Sequence, residues 1–328
     1  MMKFYSVAVF VVCFVIGVAY SDGPKSLTVE DHSLIDLLEK KGVDYSDKRP
    51  NYNMKGVSAE VGKSLFHEGF AEKPDGGATK KQSKHFVCTS CHNVEREDPD
   101  LSVSDPQARL IYTANKKLPF LQGTTMYGVV NRSTYYNGDY YKKYGELVKP
   151  ARNDIRGAIQ LCAKECAQGR ELKDWELESI LAYLWTLELK LEDVNLDEQS
   201  ATNMDVASIK SRYLDGSPAT FTLPPDDREK GSGLTGQPDN GKLIYDNSCL
   251  HCHYRSKYSF LHLDDCKLSF DHLEKNIGKY SRHSLYQVVR WGVPVKSGKR
   301  SYMPQYTDER MSDQQLADLR AYIEERAS

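Results

Sequence analysis

The run Cys88-Thr89-Ser90-Cys91-His92 recurs in the second half of the chain as Cys249-Leu250-His251-Cys252-His253. A Cys-x-x-Cys-His run is typical of c-type haem attachment, because the two thiols add to the porphyrin vinyl groups and the adjacent histidine coordinates the iron. A lone Cys-x-x-Cys pair also occurs in thiol redox sites and zinc sites, but neither requires the histidine or predicts a second copy. The sequence therefore predicts two covalently attached haem c groups, with His92 and His253 as iron ligands. The thiols that would hold these groups are Cys88, Cys91, Cys249 and Cys252.

The N-terminus has the pattern of a secretory signal peptide. Lys3 precedes an apolar run over residues 4–18, and small residues follow at Ala19 and Ser21. The run is shorter than the ~20 apolar residues that a membrane-spanning helix needs, so removal of residues 1–21 is the prediction and an uncleaved membrane anchor is the alternative. Covalent haem attachment of this kind is completed outside the cytoplasm, so we expect a periplasmic or secreted protein.

The composition excludes one class of partner. Lysine and arginine number 44 against 46 aspartate and glutamate, which gives a net charge of −2, and there is no long basic run. Nucleic-acid binding is therefore not expected. The length beyond the signal peptide suits two domains of about 100 to 150 residues each with a linker.

An internal repeat surrounds the two haem motifs. A short segment with Gly-Lys and an aromatic residue precedes each motif, at 62–66 and 241–245, and a helix with Ala-Tyr on its apolar face follows each, at 175–189 and 312–325. Apolar residues in both later helices recur every three or four positions, the spacing of a helix with one buried face. The order of helix, haem loop, ligand loop and terminal helix resembles the class I cytochrome c fold.

That resemblance implies a mainly α protein with two class I cytochrome c-like domains, each a small helical fold around one haem. A preceding amphipathic helix is predicted over 28–41, ended by Gly42, and the stretch rich in Asp, Pro, Gly and Ser between the repeats is predicted to be a linker. The predicted plan is a signal peptide at 1–21, an N-terminal helical extension at 22–57, a first cytochrome c domain at 58–190, a linker at 191–236 and a second cytochrome c domain at 237–328.

The repeat also predicts the sixth ligand of each iron. Met303 lies 18 positions before the Ala-Tyr pair of the last helix, where class I cytochromes carry an axial methionine that raises the reduction potential. The same offset before the other Ala-Tyr pair falls on Lys164, which Cys162 and Cys166 flank. We expect the Cys162 thiolate to bind the first iron and to lower its potential.

Other assignments stay open for the first iron. Cys162 and Cys166 are one helical turn apart, so they could form a disulfide with each other or with Cys266 in an oxidising compartment. Met126 or His85 would then bind the iron. Cys166 itself is a further alternative to Cys162.

Several short runs in the first predicted domain form a wider pattern. They are Leu118-Pro119-Phe120, Gly123-Thr124, Tyr127, Asp154-Ile155-Arg156, Cys162, Gly169 and Leu181-Ala182-Tyr183-Leu184. Together they resemble the dihaem thiosulfate dehydrogenases and the related cytochrome A subunit of the sulfur-oxidising complex. The resemblance implies that Cys162 ligates a catalytic haem and that the second haem passes electrons on. The tyrosine-rich run at 135–144 and the additional thiol of Cys166 depart from that family.

A member of that family would couple two thiosulfate dianions into tetrathionate, and guanidinium groups near the first haem would attract them. Arg132 and Arg156 are the candidates for this role, with Arg152 beside them in the chain. The alternative function is pure electron transfer between periplasmic partners such as small cytochromes or a terminal oxidase, with the run at 135–144 as a docking surface. A haem peroxidase would need an open site on one iron.

Overall fold

The computed structural model describes residues 32–293 and 300–328, so the predicted signal peptide lies outside the described residues. Regular secondary structure in these ranges is helical, and β pairing is limited there to three isolated bridges. The prediction of a mainly α protein is confirmed. None of the helices in the described ranges has both the length and the apolar character needed to cross a membrane.

The helices are numbered here in chain order. Those of the first half are α1 Leu34–Lys40, α2 Ala59–Glu68, α3 Pro106–Lys116, α4 Asp139–Tyr144, α5 Ile155–Leu161 and α6 Asp174–Trp185. Those of the second half are α7 Glu198–Asn203, α8 Val206–Lys210, α9 Pro238–Ile244, α10 Leu250–His253, α11 Lys267–Glu274, α12 Leu285–Arg290 and α13 Asp313–Ala327. Two π-helical turns, Cys162–Cys166 and Tyr245–Cys249, continue α5 and α9.

Helix α1 is the described part of the predicted N-terminal helix. It begins after Ser33, whose side chain accepts a hydrogen bond from the Asp36 backbone N–H at 3.1 Å, and this cap satisfies a donor that the first turn leaves open. Leu34, Ile35 and Leu38 are buried in the same apolar cluster as side chains of α2 and α6. The extension therefore packs on the first half of the chain.

Helices α2 and α6 cross in close contact at Gly62. A Cβ at this position would lie 1.8 Å from the Ser179 carbonyl oxygen, so only glycine fits. One turn further on, the Phe66 ring packs against the Tyr183 ring with 5.6 Å between centroids. The crossing is thus permitted by a glycine and filled by an aromatic pair.

Helices α9 and α13 cross in the same way. A Cβ at Gly241 would lie 2.1 Å from the Asp318 carbonyl oxygen, and the Tyr245 ring lies 5.7 Å from the Tyr322 ring. The residues that the repeat aligned in sequence therefore occupy equivalent positions at two helix crossings.

We expect Gly62→Ala and Gly241→Ala each to lower the free energy of unfolding by about 3 kcal/mol or more, because an added methyl group would force two closely packed helices apart. Gly157→Ala in α5 is the matched control. A Cβ there would meet a side-chain oxygen of Asp154 at 2.9 Å and not the backbone of another helix, and alanine also favours the helix. Urea denaturation of the holoproteins measures the difference, and wild-type stability of both crossing variants would contradict the close contact.

The apolar core consists of two clusters that do not follow the predicted domain boundaries. Leu110 and Phe120, from the predicted first domain, are buried in the cluster of the second half. Ile209 and Tyr213, from the predicted linker, are buried in the cluster of the first half. Polar residues dominate 191–236, so the few apolar side chains that become buried there do not stand out in the sequence. Each half of the chain therefore contains side chains from a segment that the sequence assigns elsewhere, so the two halves are joined by packing.

Candidate haem sites

The second motif lies on one continuous helical stretch formed by α9, the π turn Tyr245–Cys249 and α10. This stretch places Cys249, Cys252 and His253 within about one turn. The Nδ1 atom of His253 lies 2.9 Å from the Leu261 carbonyl oxygen. With Nδ1 donating to that carbonyl, Nε2 carries the lone pair and is available to a metal.

Met303 packs against the apolar cluster of the second half. Its side chain packs in the same apolar cluster as Cys249 and Leu261. Its carbonyl oxygen accepts a hydrogen bond from the Val293 backbone N–H at 2.8 Å, which ties the segment that carries it to the end of α12. The segment that carries the thioether is therefore fixed to the end of α12, within the half of the chain that contains the second motif.

The first motif has the same histidine arrangement. The Nδ1 atom of His92 lies 2.7 Å from the Thr124 carbonyl oxygen, and burial lowers the pKa of the imidazole and so favours its neutral, ligating form. Gly123 permits this contact, because a Cβ there would lie 2.6 Å from Nδ1 of His92 and 2.5 Å from the Cys91 carbonyl oxygen. The imidazole is therefore clamped by a loop that only glycine can form.

A family model described as cytochrome c oxidase, cbb3-type, subunit III matches residues 236–323. This part of the chain is a c-type cytochrome domain. The prediction of a cytochrome c with covalently bound haem c and an electron-transfer function is thereby confirmed at this level. Neither the curated proteins nor the solved structures gave a match. The matched range contains the second motif and Met303, and the first motif lies outside it.

The residues of the cytochrome domain fit a haem c. Cys249 and Cys252 are spaced for two thioether bonds, and burial raises the pKa of Cys249 to about 12 and that of Cys252 to about 11. His253, whose ring is oriented through Nδ1, and Met303 are the candidates for the two iron ligands.

Both cysteines near the end of α5 lie close to the first motif. Cys162 begins a π-helical turn that ends at Cys166, and the two thiols are hydrogen-bonded to each other. This contact raises the pKa of Cys162, to which the neighbouring Cys88 and Cys91 also contribute, and lowers the pKa of Cys166. The structure therefore brings both candidate sulfur ligands to the first motif.

The alternative disulfides are not formed among the described residues, whose cysteines are all free thiols. Cys166 is exposed, and Cys162 is half-buried. Cys266 is exposed at the start of α11, where Asp264 raises its pKa. The thiol pair near the first motif therefore consists of Cys162 and Cys166.

Three tyrosines surround this thiol pair. Tyr136 is hydrogen-bonded to Cys166, and the pKa values of Tyr140 and Tyr302 are raised, chiefly by burial and also by both thiols. We call these five residues the cysteine pocket: Cys162, Cys166, Tyr136, Tyr140 and Tyr302. Two of the tyrosines come from the run at 135–144, which would be a docking surface under the alternative function of pure electron transfer. The run instead turns part of its aromatic surface inward, although Tyr144 remains 40 % exposed.

The two other candidate ligands of the first iron lie in different places. Met126 donates its backbone N–H to the Asn93 carbonyl oxygen at 2.8 Å, which puts it beside the residue that follows His92. His85 precedes Phe86, whose ring lies 5.8 Å from the Tyr302 ring at the cysteine pocket. Met126 is therefore on the histidine side of the site, and His85 is near the opposite side.

Arg132 lies on the histidine side as well. Its guanidinium donates to the Thr124 hydroxyl oxygen and to the Thr125 carbonyl oxygen, each at 3.2 Å, and burial lowers its pKa. These contacts support the loop whose Thr124 carbonyl holds His92. Arg132 is thus placed to orient the loop at 123–125 that contacts His92.

Arg156 has a different set of partners. Its guanidinium contacts Glu178 through Nε at 2.6 Å and through Nη2 at 2.9 Å, and it also donates to the carbonyl oxygens of Asp47 and Arg49. Glu178 raises its pKa. Every guanidinium nitrogen of Arg156 therefore has a partner, and together these contacts hold the N-terminal segment against α6. These contacts do not support the prediction that Arg156 binds an anion.

A buried ion cluster that sequence reasoning missed lies behind the first motif. Glu97 is fully buried, with Oε1 2.6 Å from Nη2 of Arg310 and Oε2 3.6 Å from Nη1 of Arg109. It also accepts hydrogen bonds from the Thr125 backbone N–H at 2.9 Å and the Asn93 side chain at 3.0 Å. The two arginines lower the pKa of Glu97. Through Glu97 the loop at 123–125 is tied to Arg109 in the first half of the chain and to Arg310 in the second.

Residues 118–125, here called the bridging segment, connect the two motifs. The Phe120 backbone N–H donates to the Asn247 carbonyl oxygen at 2.8 Å, two residues before Cys249. At the other end, the Gln122 amide lies 3.2 Å from the Cys91 sulfur. Cys252 is near enough to contribute to the raised pKa of Cys91. The two Cys-x-x-Cys-His motifs are therefore neighbours in space.

Proposed function

We propose that the protein is an exported dihaem c-type cytochrome, located in the periplasm or secreted, that oxidises a sulfur compound at its first haem and passes the electrons to its second. The observation that carries the proposal is the equivalence of the two motifs. Each follows a helix crossing built on a glycine and an aromatic pair, and each has a histidine whose Nδ1 contacts a backbone carbonyl oxygen. A chain that needed one haem would not require the second arrangement.

In the proposed first site, Cys88 and Cys91 hold the haem and His92 is the proximal ligand. A bound haem supplies a one-electron redox centre whose potential depends on its axial ligands. The chain contributes the orientation of His92 through the Thr124 carbonyl, and a sulfur ligand from the cysteine pocket, for which Cys162 is the candidate. In the second site, Cys249 and Cys252 would hold the haem, and His253 and Met303 would supply the ligands of its iron.

Electron transfer between the sites follows from their contact. The bridging segment is bonded to the residues just before Cys249 and to Cys91, so the motifs are joined through a few covalent and hydrogen-bonded steps. A thiolate ligand on the first iron and a thioether on the second would make the first haem the lower in potential. With haem at both sites, transfer of an electron from the first site to the second would be favourable.

The cysteine pocket supports sulfur chemistry. Two thiols lie together, and the hydroxyl groups of Tyr140 and Tyr302 can donate hydrogen bonds to the oxygens of a small sulfur oxyanion. We assign anion binding to these hydroxyl groups, because Arg132 and Arg156 have other partners. Thiosulfate is the substrate that the sequence resemblance favours.

The second candidate function is electron transfer without a substrate site. It is favoured by Phe260, which is 92 % exposed and directly precedes the residue whose carbonyl oxygen contacts His253. An aromatic side chain in that position suits contact with a redox partner such as a small cytochrome or a terminal oxidase. Thiosulfate oxidation by the purified holoprotein distinguishes the two functions, and its absence would favour the carrier.

The haem count tests the proposal first. We expect the intact mass of the mature holoprotein to contain two haems, and a variant with both Cys88 and Cys91 replaced by alanine to contain one. The matching variant of Cys249 and Cys252 should also retain one haem. A wild-type mass with a single haem would contradict the dihaem function.

Electron paramagnetic resonance tests the sulfur ligand. We expect oxidised wild-type protein to give a low-spin thiolate-ligated haem signal that disappears in Cys162→Ala, while the signal of the His253 haem is unchanged. Loss of thiolate donation should raise the potential of the first haem. The Cys266→Ala variant, altered at an exposed thiol, is the control. A spectrum indifferent to Cys162 would exclude that residue as the ligand.

A further inference from the structure

The loop that follows the second motif, residues 254–262, presents aromatic surface to solvent. Phe260 is 92 % exposed and Tyr254 is 46 % exposed. A single exposed apolar side chain is ordinary, but two aromatic rings on one short loop form an apolar patch of the kind that contacts other molecules.

This loop is pinned to the motif at both ends. The Tyr258 backbone N–H donates to the Cys252 carbonyl oxygen at 3.0 Å, and the Leu263 backbone N–H donates to the His253 carbonyl oxygen at 3.2 Å. The Ser301 hydroxyl group also donates to the Tyr258 carbonyl oxygen at 2.8 Å. The residues between these bonds therefore stand together as one compact projection above the second motif.

The loop also joins a candidate iron ligand to the surface. The Nδ1 atom of His253 lies 2.9 Å from the Leu261 carbonyl oxygen, and Leu261 is bonded in the chain to Phe260. One hydrogen bond and one peptide unit thus separate the candidate ligand from an exposed ring. An electron that leaves the second site by this path reaches solvent at the loop.

The charge of the loop is positive. Residues 254–262 contain Arg255 and Lys257 and no aspartate or glutamate, and both cations are exposed. The Arg255 guanidinium lies 5.2 Å from the centroid of the Tyr254 ring, and the Lys257 nitrogen lies 4.9 Å from that of the Tyr258 ring. The cations and the aromatic rings therefore share one surface.

The nearest acidic residue after the loop is already engaged. Asp264 accepts hydrogen bonds from the Ser269 hydroxyl group at 2.7 Å and from the Cys266 backbone N–H at 3.0 Å, and it lies 3.4 Å from the His262 ring. Asp265 beside it is exposed. The charge therefore changes sign only past the end of the loop.

We propose that the 254–262 loop docks an electron-accepting protein whose surface has carboxylates around an apolar centre. Phe260 enters the apolar centre, and Arg255 and Lys257 face the carboxylates. In the contact, the second haem iron goes from ferrous to ferric as the acceptor's metal centre gains one electron. The inference rests on the proposed electron-transfer function, holds with or without a sulfur substrate, and adds the exit surface and the charge of the partner.

The charge pattern favours an acidic protein over other occupants. Opposite charges speed the encounter of two proteins and orient them, which suits a brief contact for electron transfer. Recognition of anionic lipid by a basic cluster ordinarily uses about four to eight lysines and arginines, and the loop has two. A second copy of the chain would bring the same two positive charges to the contact.

Electron transfer to an acidic plastocyanin, followed by stopped flow, tests the proposal. Reduced holoprotein is mixed with the oxidised copper protein at ionic strengths from about 0.01 M to about 0.15 M, where salt increasingly screens the charges. We expect the second-order rate constant to fall about tenfold over this range. Arg255→Gln combined with Lys257→Gln should lower the low-salt rate constant about fivefold and flatten the salt dependence. Phe260→Ser should lower it at every ionic strength.

The matched control is Lys275→Gln combined with Lys279→Gln, two exposed lysines outside the loop in the same half of the chain. It should have the wild-type rate constant. Oxidation by tris(phenanthroline)cobalt(III), a small cation, reports the release of electrons without protein docking and should not be slower in the loop variants. The midpoint potential of the second haem should be the same in all of them.

Two results would overturn the docking proposal. One is a wild-type rate and salt dependence with plastocyanin when both loop cations are removed. The other is sedimentation of the holoprotein with vesicles of phosphatidylcholine and phosphatidylserine that Phe260→Ser abolishes, because the loop would then bind a membrane. Failure of the wild-type protein to reduce the cobalt complex would instead contradict the electron-transfer function. If Phe260→Ser does not accumulate as holoprotein, the charge variant and its control still decide the docking proposal.

Discussion

Replacing Glu97 by glutamine is expected to lower the free energy of unfolding by about 3 to 5 kcal/mol, the range for removing one partner of a buried ion pair. The carboxylate is fully buried and faces Arg310 at 2.6 Å and Arg109 at 3.6 Å. The amide would leave two buried guanidinium groups without a counter-charge, and such groups are costly to desolvate. Chemical denaturation of the holoprotein measures the loss.

The matched control is Glu146→Gln, the same substitution in an exposed pair. Glu146 is 84 % exposed and its oxygen lies 3.0 Å from the Lys149 nitrogen. Exposed pairs of this kind contribute about 0 to 1 kcal/mol, so the control should be nearly as stable as wild type. Equal effects of the two substitutions would mean that the Glu97 cluster is not a buried ion pair in solution.

The pH dependence of stability gives a second readout of the same variant. The arginines hold the pKa of Glu97 below its ordinary value of 4.5, so its contribution is present above that value and is lost as the pH falls through the folded-state pKa. The acid-side loss should therefore be smaller in Glu97→Gln. Asp98 acts with the opposite sign, because burial raises its pKa to about 6 and stability falls as the pH rises from about 4 to 6.

The parts of the fold that were predictable from sequence are those set by local spacing. The two haem motifs stand out as runs of five residues, and the helices that flank them have a regular apolar period. Gly62 and Gly241 align in the repeat, although their purpose, a close helix crossing, needs the structure. The repeat thus predicts the order of the helices but not how closely they pack at Gly62 and Gly241.

The parts that sequence reasoning missed depend on contacts distant in the chain. Glu97 and Arg310 are 213 residues apart, and no spacing rule links them. The sequence around Met303 predicts a ligand segment, and nothing in it distinguishes Tyr302 as a neighbour of the two cysteines. Arg156 was chosen for its charge, and a charge alone does not reveal that Glu178 lies 2.6 Å away.

The tyrosine-rich run at 135–144 illustrates why composition was insufficient. Aromatic enrichment suits an interface, but an interface can be inside the same chain. Tyr140 packs against Phe221 with 4.9 Å between ring centroids, and Tyr136 contacts a thiol. The sequence identified the right residues for a contact surface and left open what they contact.

Replacing Met303 by leucine is expected to lower the potential of the second haem by on the order of 0.1 to 0.3 V, a fraction of the ~0.8 V range that axial ligands span. The thioether stabilises the ferrous state, and leucine keeps the volume of the side chain without offering a ligand. Spectroelectrochemistry measures the potential, and loss of the thioether-to-iron charge-transfer band in the visible spectrum reports the missing bond.

Met311→Leu separates ligation from packing. Met311 is 1 % exposed and belongs to the apolar cluster against which the half-buried Met303 packs, so both substitutions remove one methionine from this cluster. A volume-conserving change of this kind costs less than about 1.5 kcal/mol of stability and gives no reason for the potential to move. A potential that falls in Met303→Leu alone would identify the axial ligand, because two similar changes in core packing would then differ only in contact with the iron. Equal small shifts in both variants would make Met303 a packing residue, and the second haem would need another sixth ligand.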